Sequence, residues 1–521
     1  MKNNIPALWA HQKNIIDYVS NESINHYALL HDMGTGKTRT AIEIMRNRFI
    51  KEDRILKTLI IGPLATIQSW KREILDYSNI PEKMISVVNG IKEGKKTITL
   101  ATKKEQLSAK FGVYVINTDM VGSSNLWPLI QALGIELLIV DEVHNFKSFD
   151  AKRTKELMKF SRGVKYKYTL TGSPVLQNAM DLWAQFYILN PDILGGNFYA
   201  FRAQYFYDAN ASMPSHIHFP DWKVKDERYF RIMRKQGVSD AELEKQSLNG
   251  LNAIIYKHAN RVMKKDVLDL PPIVYQTLSA PLSPEQSRIY DEMNDNLVAT
   301  LDGSEDDLQD ILEDIPEVMQ ADLAIVKTLR LMQICAGVIK PDDKPAAMLD
   351  KIPRLNLLKD TLEEILANED NKVIIWTIFK PTYEAIGKIC EKLGVKYVYL
   401  TGLQSSAQKQ ESMDSFNTDK SIRVIIANQS AGGTGVTLNA ANYSLYYSRS
   451  FNLGHDLQSE ARNYRGGQVR NVTRIDLVSE DTIDAEIVKA LAEKKAHAED
   501  ILNTKKNQIT KEELIGFLNK R

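Results

Sequence analysis

Cysteine is nearly absent. Cys335 and Cys390 are the only two in 521 residues, too few for a disulfide framework or a zinc module, and their scarcity suits a reducing compartment. Also missing is any run of about 20 apolar residues, the length that a membrane-spanning helix needs. The opening stretch MKNNIPALWAHQ lacks the apolar core of a secretory signal. Nor does one sign of charge dominate: 67 Lys+Arg against 66 Asp+Glu leave a net charge of +1, so no overall positive field advertises a polyanion. These absences lead to the expectation of a soluble intracellular protein with no membrane partner.

What is present is an alternation of strand and helix patterns, in two separate stretches. In the first, YALL (27–30), TLIIG (58–62), VYVIN (113–117), ELLIVD (136–141) and YKYTLTG (166–172) read as strands. In the second, KVIIWT (372–377), KYVYL (396–400), IRVIIA (422–427), YSLYY (443–447) and TRIDLV (473–478) repeat the theme. Most are continuous apolar runs, as expected for strands of a parallel sheet buried on both faces. Residues 190–370 read as largely helical. Within them the aromatic and basic stretches NFYAFRAQYFY and DERYFRIMRKQ precede an acidic segment, 291–322, that lacks Lys and Arg. The length alone suggests about three or four domains.

The stretch ALLHDMGTGKTRTAIEI, residues 28–44, ends an apolar run, turns on glycines and enters a helical pattern. That is the layout of a phosphate cradle. Gly34 and Gly36 let successive N–H groups of Met33, Gly34, Thr35 and Gly36 curl toward phosphate oxygens, Lys37 would reach the β- and γ-phosphates, and Thr38 would place its hydroxyl on Mg²⁺. The full loop pattern asks for glycine five places before Gly36, where His31 stands. At the end of a second apolar run, LLIVDEVH sets Asp141 to hold Mg²⁺ through water and Glu142 to deprotonate the attacking water. His144 would couple this site to LTGSP, with Thr171 and Ser173.

These residues, in this order, resemble the superfamily-two helicases and translocases, and more narrowly the Swi/Snf-type DNA translocase ATPases. That family writes its loop D-E-M-G-x-G-K-T, so the missing glycine is a family trait, although His31 departs from its usual acid. LWAHQKNII resembles the adenine-reading motif, with Gln12 bonding the base through its amide. The stretch HANRVMKKDVLDLPPIVYQTLSAPLSPEQSRIY, with its R-x-x-K-K-D-V, L-P-P and L-S-P-E-Q, is similar to a segment of this subgroup that ordinary RNA helicases lack. ANQSAGGTGVTLNAANYSLYYSRSFN and QSEARNYRGGQ resemble the family's motifs in the second lobe.

The resemblance implies an α/β fold of two RecA-like parallel-sheet lobes with helical insertions: lobe 1 over 1–189, a helical insertion over 190–270, a linker and second insertion with the acidic segment over 271–345, lobe 2 over 346–482, and a helical tail over 483–521. It implies ATP and Mg²⁺ as cofactors, bound in a cleft between the lobes. Gly435 and Gln458 would join the ATP site, and Arg462 and Arg465, three apart and sharing a helix face, would brace the γ-phosphate. The partner implied is double-stranded or branched DNA, its backbone gripped by Thr66, Trp70, Lys71, Thr118, Thr401, Asn428, Gly432 and Thr437. Several positions depart from the family. Gln177 and Asn178 sit one place late, Ala461 and Tyr464 replace an Asp and a His, Ser430 stands where an Arg is common, and Arg449 where the family has acid. The expected protein is a monomeric, compact prokaryotic or viral translocase for replication, repair or recombination, cytoplasmic or nucleoid-associated, with a nuclear location left open. A strand-separating DNA or RNA helicase, a nucleic-acid-binding ATP switch and a metabolic phosphate-loop kinase are the competing readings.

Overall fold

The computed structural model describes residues 5–21, 24–88, 100–108, 110–176, 178–214, 218, 220–295, 327–339, 346–429 and 437–502. The chain divides into two compact units, Met1–Leu268 with Lys494–Arg521, and Asp269–Glu493. Most strands of the two main sheets come from the apolar runs.

In the first unit, strands β1 (His26–His31), β2 (Thr58–Gly62), β3 (Ile85–Val88), β4 (Val113–Asn117), β5 (Leu137–Asp141) and β6 (Tyr166–Leu170) precede a small hairpin of β7 (Phe206–Asp208) and β8 (Trp222–Val224), and β9 (Ala259–Val262) comes last. Seven of them pair in parallel in the order β3-β4-β2-β5-β6-β1-β9. Successive strand residues point to opposite faces, and two cores divide them accordingly. Ile60, Val113, Val115, Leu137 and Ile139 pack with Ile42, Met45, Ile67 and Trp70 on one side. Leu59, Ile61, Tyr114, Ile116, Leu138 and Val140 pack with Trp127, Phe146 and Leu157 on the other. At about 1.5–3 kcal/mol per fully buried large apolar side chain, these faces dominate the unit's stability.

In the second unit, β10 (Ile273–Ala280) and a short antiparallel pair, β11 (Val338–Ile339) with β12 (Ala347–Met348), precede β13 (Val373–Trp376), β14 (Lys396–Leu400), β15 (Ile422–Ala427), β16 (Tyr443–Tyr446) and β17 (Val472–Ser479). The main sheet runs β10-β17-β16-β13-β15-β14, all parallel. Ile374, Trp376, Ile425, Ala427 and Tyr446 share one core with Leu400, Phe416 and Leu438.

Two parallel sheets with helices around them are the expected RecA-like architecture. The stretch 190–370 needs correction, because β9 and β10 in it are strands of the two main sheets. Neither carries a helical or a continuous apolar pattern: β9 is ANRV, and β10 exposes most of its side chains on both faces. Of the expected helical tail, 483–502 lies among the described residues and forms one helix. Helix Ile483–Leu502 begins within the second unit's residues, and in the first unit Asn252 and Tyr256 donate to the carbonyls of Ile501 and Leu502 at 2.6 Å each. Of the acidic segment, only 291–295 lies among the described residues, closing helix Pro284–Asp295.

Candidate active site

His31 lies in the last position of strand β1, paired in register with Val262 of β9. The loop starts after it, so an extended backbone stands where the longer pattern would turn, and no glycine is required. Burial pushes the His31 imidazole down to about 3, and its Nε2 stands 2.9 Å from Asn260 Oδ1. Asp32 carries the junction further, its carboxylate accepting the N–H of Lys264 at 2.9 Å. Thus β9 pins the loop from behind. Nothing in its own sequence signalled this.

The loop itself turns left-handed at Gly34 (φ 86°) and Gly36 (φ 82°), a region that side chains disfavour. Gly36 has a second requirement, since a Cβ there would stand 2.3 Å from Gln12 Nε2. Gln12 is buried, donating to the Gly36 carbonyl at 3.1 Å and accepting the Trp9 N–H at 2.9 Å. Both ends of its amide are therefore engaged in shaping the loop, leaving one proton and one lone pair for a base. His11 donates to the Thr35 carbonyl at 2.9 Å, and the Thr35 hydroxyl donates to the Asp32 carbonyl at 2.7 Å. Lys37 Nζ donates to the carbonyls of His31 (2.8 Å) and Asp32 (3.2 Å). Helix Lys37–Lys51 starts with no side-chain cap and no acid in its first turn. An uncapped, cationic helix start behind a glycine loop suits phosphate. ATP fits these residues. Met33 and Thr38 complete the expected set, both half-buried.

Parallel topology places the other groups at the same sheet edge, since β6 separates β5 from β1. Asp141 ends β5, and Glu142 comes next in a left-handed conformation (φ 50°, ψ 52°), uncommon for any residue but glycine, asparagine or aspartate. Burial, aided by the neighbouring Glu142 charge, raises the Asp141 carboxyl above its ordinary value. Two donors oppose this: the Trp70 indole N–H at 3.0 Å from Oδ2 and the Glu142 backbone N–H at 3.0 Å from Oδ1. His144 Nδ1 stands 3.3 Å from Glu142 Oε2 and 2.9 Å from Thr171 Oγ1. The Thr171 hydroxyl also accepts the Ser173 N–H at 3.1 Å. His144 thus lies beside the Glu142 carboxylate and is hydrogen-bonded to the turn after β6. There Gly172 lies so close to the phosphate loop that a Cβ would sit 3.2 Å from the His31 carbonyl oxygen.

In the second unit, helix Leu453–Glu460 carries Gln458. It stops before the arginines, which corrects the expectation of a shared helical face. The Arg462 N–H already bonds at i−3, to Ser459, and Gly467 turns left-handed at φ 91°. Arg462 is buried and Arg465 half-buried in this turn. Gln468 staples it, donating to the carbonyls of Asn439, Ala441 and Asn463 at 2.9–3.2 Å. Gly435, like Gly432, Ser430 and Gln177, lies outside the described residues.

The expected DNA-facing set separates in the structure. Trp70 is a correction. It is 1% exposed, sits in the core and holds Asp141, so it positions a carboxylate and cannot touch a backbone from there. Thr66, Thr118 and Thr401 are buried as well, and Thr66 donates to the Pro63 carbonyl at 2.9 Å. Lys71 pairs with Glu82 at 2.8 Å. Asn428 is half-buried and donates to the Tyr383 hydroxyl at 2.8 Å, and half-buried Thr437 accepts from Asn417 through its carbonyl at 2.8 Å.

Two α/β units of this topology, the first with a glycine loop behind its opening strand, define a helicase-type protein of two RecA-like lobes. Comparison with known proteins narrows the class. The model of the SNF2-related domain matches residues 11–331, and that of the helicase conserved C-terminal domain matches 355–467. The chain belongs to the SNF2-related family. It is 24% identical to the lymphoid-specific helicase of Homo sapiens, over 95% of its own length and 64% of that protein. An uncharacterized ATP-dependent helicase of Mycoplasma genitalium is 23% identical, over 94% of this chain and 42% of that one. A solved structure, the Sulfolobus solfataricus SWI2/SNF2 ATPase core in complex with dsDNA, is similar at 23% identity and a TM-score of 0.39, covering 96% of this chain and 94% of that one. The chain spans 34% to 64% of the lengths of the first curated relatives.

Proposed function

We propose that this chain is a monomeric ATP-dependent translocase on double-stranded or branched DNA, serving replication, repair or recombination. The observation that carries the reading is the cluster of polar groups at one sheet edge. The phosphate loop, Asp141, Glu142, His144 and Thr171 stand together after β1, β5 and β6, with Glu142 held in a left-handed backbone. Strain of this kind persists only where the surroundings over-determine it, and it clusters at active sites. Family membership and the ATP-dependent helicase named among the relatives support the ATPase assignment.

In this reading Lys37 exchanges its two backbone carbonyls for phosphate oxygens, and the uncapped helix start adds its partial positive charge. Glu142 takes the proton of the attacking water, and His144 transmits that change to Thr171 and the Ser173 turn. Arg462 and Arg465 stabilise the γ-phosphoryl charge, a role worth about 10³–10⁵ in rate. Mg²⁺, held by Thr38 and through water by Asp141, would neutralise charge on the phosphates.

The test is phosphate release with duplex, single-stranded and forked DNA and with RNA, alongside triplex displacement and fork unwinding. Duplex stimulation that disappears in Glu142→Gln, together with triplex displacement, is the expected result. Stimulation by RNA alone, or unwinding without displacement, overturns it.

A further inference from the structure

The second unit holds a cluster of buried charges that the proposed hydrolysis does not use directly. Helix Leu453–Glu460 turns Asp456 and Glu460, one helical turn apart, to the sheet. Arg474 of β17 reaches both, with Nη2 at 2.8 Å from Asp456 and Nη1 at 3.0 Å from Glu460, and its Nε lies 3.4 Å from Asp476. Arg449, in the segment after β16, pairs with Asp476 and stands 3.7 Å from Asp456. The Tyr446 ring lies under both guanidinium groups, 4.1 Å from that of Arg474 and 4.8 Å from that of Arg449. Tyr275 of β10 adds a hydroxyl donor to Glu460 at 3.1 Å. All five charged side chains are close to nine-tenths buried or more.

Apolar residues of similar volume would fasten a helix to a sheet as well as such a lattice does. A lattice of forked, directional contacts adds a fixed rotation and register of the helix. That register bears on the arginine turn. Helix Leu453–Glu460 ends two residues before Arg462, whose carbonyl is fixed by the Leu438 N–H at 2.9 Å.

We propose that Arg449 is a positioning residue for the arginine turn: through Asp476 and Asp456 it sets the helix whose end fixes where Arg462 and Arg465 stand. The inference rests on the reading of those arginines as groups that act on the γ-phosphate. A misplacement of about 1 Å in such a group costs on the order of 10²-fold in rate. Burial lowers the Arg449 guanidinium to about 10, so it keeps its charge at neutral pH.

The experiment measures kcat and KM for ATP at saturating duplex DNA on full-length protein, per active site titrated with a fluorescent ADP analogue, for Arg449→Met, Arg449→Lys and Arg462→Ala. Arg449→Met should lose roughly tenfold to a hundredfold in kcat with KM within about twofold, and Arg449→Lys should recover most of that loss. A role in stability alone would reduce the number of active sites and the melting temperature while leaving kcat per site unchanged, and this result overturns the inference. If Arg449→Met does not fold, Asp476→Asn carries the same test, since it removes the charge through which Arg449 is held without adding bulk. Full activity in Arg462→Ala would remove the underlying reading; loss there beside wild-type kcat in folded Arg449→Met would sink this inference alone.

Discussion

Trp70→Phe separates a carboxylate-positioning role from a DNA contact. The indole N–H donates to Asp141 Oδ2 at 3.0 Å, with Trp70 1% exposed and Asp141 7% exposed. A buried hydrogen bond to a charged group is worth about 1.5–3 kcal/mol. Phenylalanine keeps most of the apolar contact, so the lost bond dominates and the first unit should be destabilised by about 2 kcal/mol. For a unit of this size that lowers the melting temperature by about 4–8 °C. If the same destabilisation, about 2 kcal/mol, is expressed in the transition state, kcat falls about 30-fold, and the Mg²⁺ concentration needed for half-maximal rate rises because Asp141 is no longer held. The affinity for duplex DNA and its dependence on salt should not change, since the indole is in the core. The assays are thermal denaturation, steady-state ATP hydrolysis against Mg²⁺, and DNA binding by anisotropy at two salt concentrations. Unchanged kcat and melting temperature with weakened DNA binding would refute the positioning role.

The same geometry sets other outcomes. Gly36→Ala places a methyl group 2.3 Å from Gln12 Nε2 at φ 82°, and nucleotide affinity measured with a fluorescent ADP should fall by about 10² or more, the equivalent of roughly 3 kcal/mol. His31 is buried with its folded value lowered to about 3 from 6.5, so the unfolded chain binds the extra proton. Its contribution is complete above pH 6.5 and is lost as pH falls from 6.5 toward 3, amounting to about 2 kcal/mol by about pH 5; urea denaturation of His31→Asn should show a shallower acid slope. Arg462→Ala and Arg465→Ala should each reduce kcat by about 10³ or more with little effect on nucleotide affinity, whereas Gln468→Ala, which removes a donor from three carbonyls, should lower the melting temperature of the second unit first.

How much of this was legible in the sequence depends on what kind of force holds each part. The central strands β2, β4, β5, β13 and β15 announce themselves because both faces are buried, and both must therefore be apolar. Asp141 and Glu142 are legible by the same logic, as the first polar residues after such a run. Strands β9 and β10 escape because their place is set by backbone pairing, in register with β1 and β17, and their side chains carry little of the apolar pattern. Trp70 escapes for another reason. A tryptophan in an amphipathic helix reads equally as a core residue or a surface contact, and only the tertiary fold brings its N–H to a carboxylate 71 residues away.

The arginine turn shows the remaining limit. A spacing of three between Arg462 and Arg465 fits a helix face, yet the backbone leaves the helix at Glu460 because Arg462 already bonds at i−3 and Gln468 gathers the carbonyls of three other residues. Local spacing describes a helix only while nothing else competes for its carbonyls and N–H groups. Here a buried glutamine competes from one side and the charged lattice around Arg474 fixes the helix from the other. The turn is thus specified by residues 439, 441, 449, 456, 474 and 476, most of them distant in sequence from the pair. Substituting either arginine would leave that scaffold in place, while loosening the scaffold would displace two intact arginines. Loss of rate without loss of either guanidinium is therefore the signature to look for in variants of the second unit.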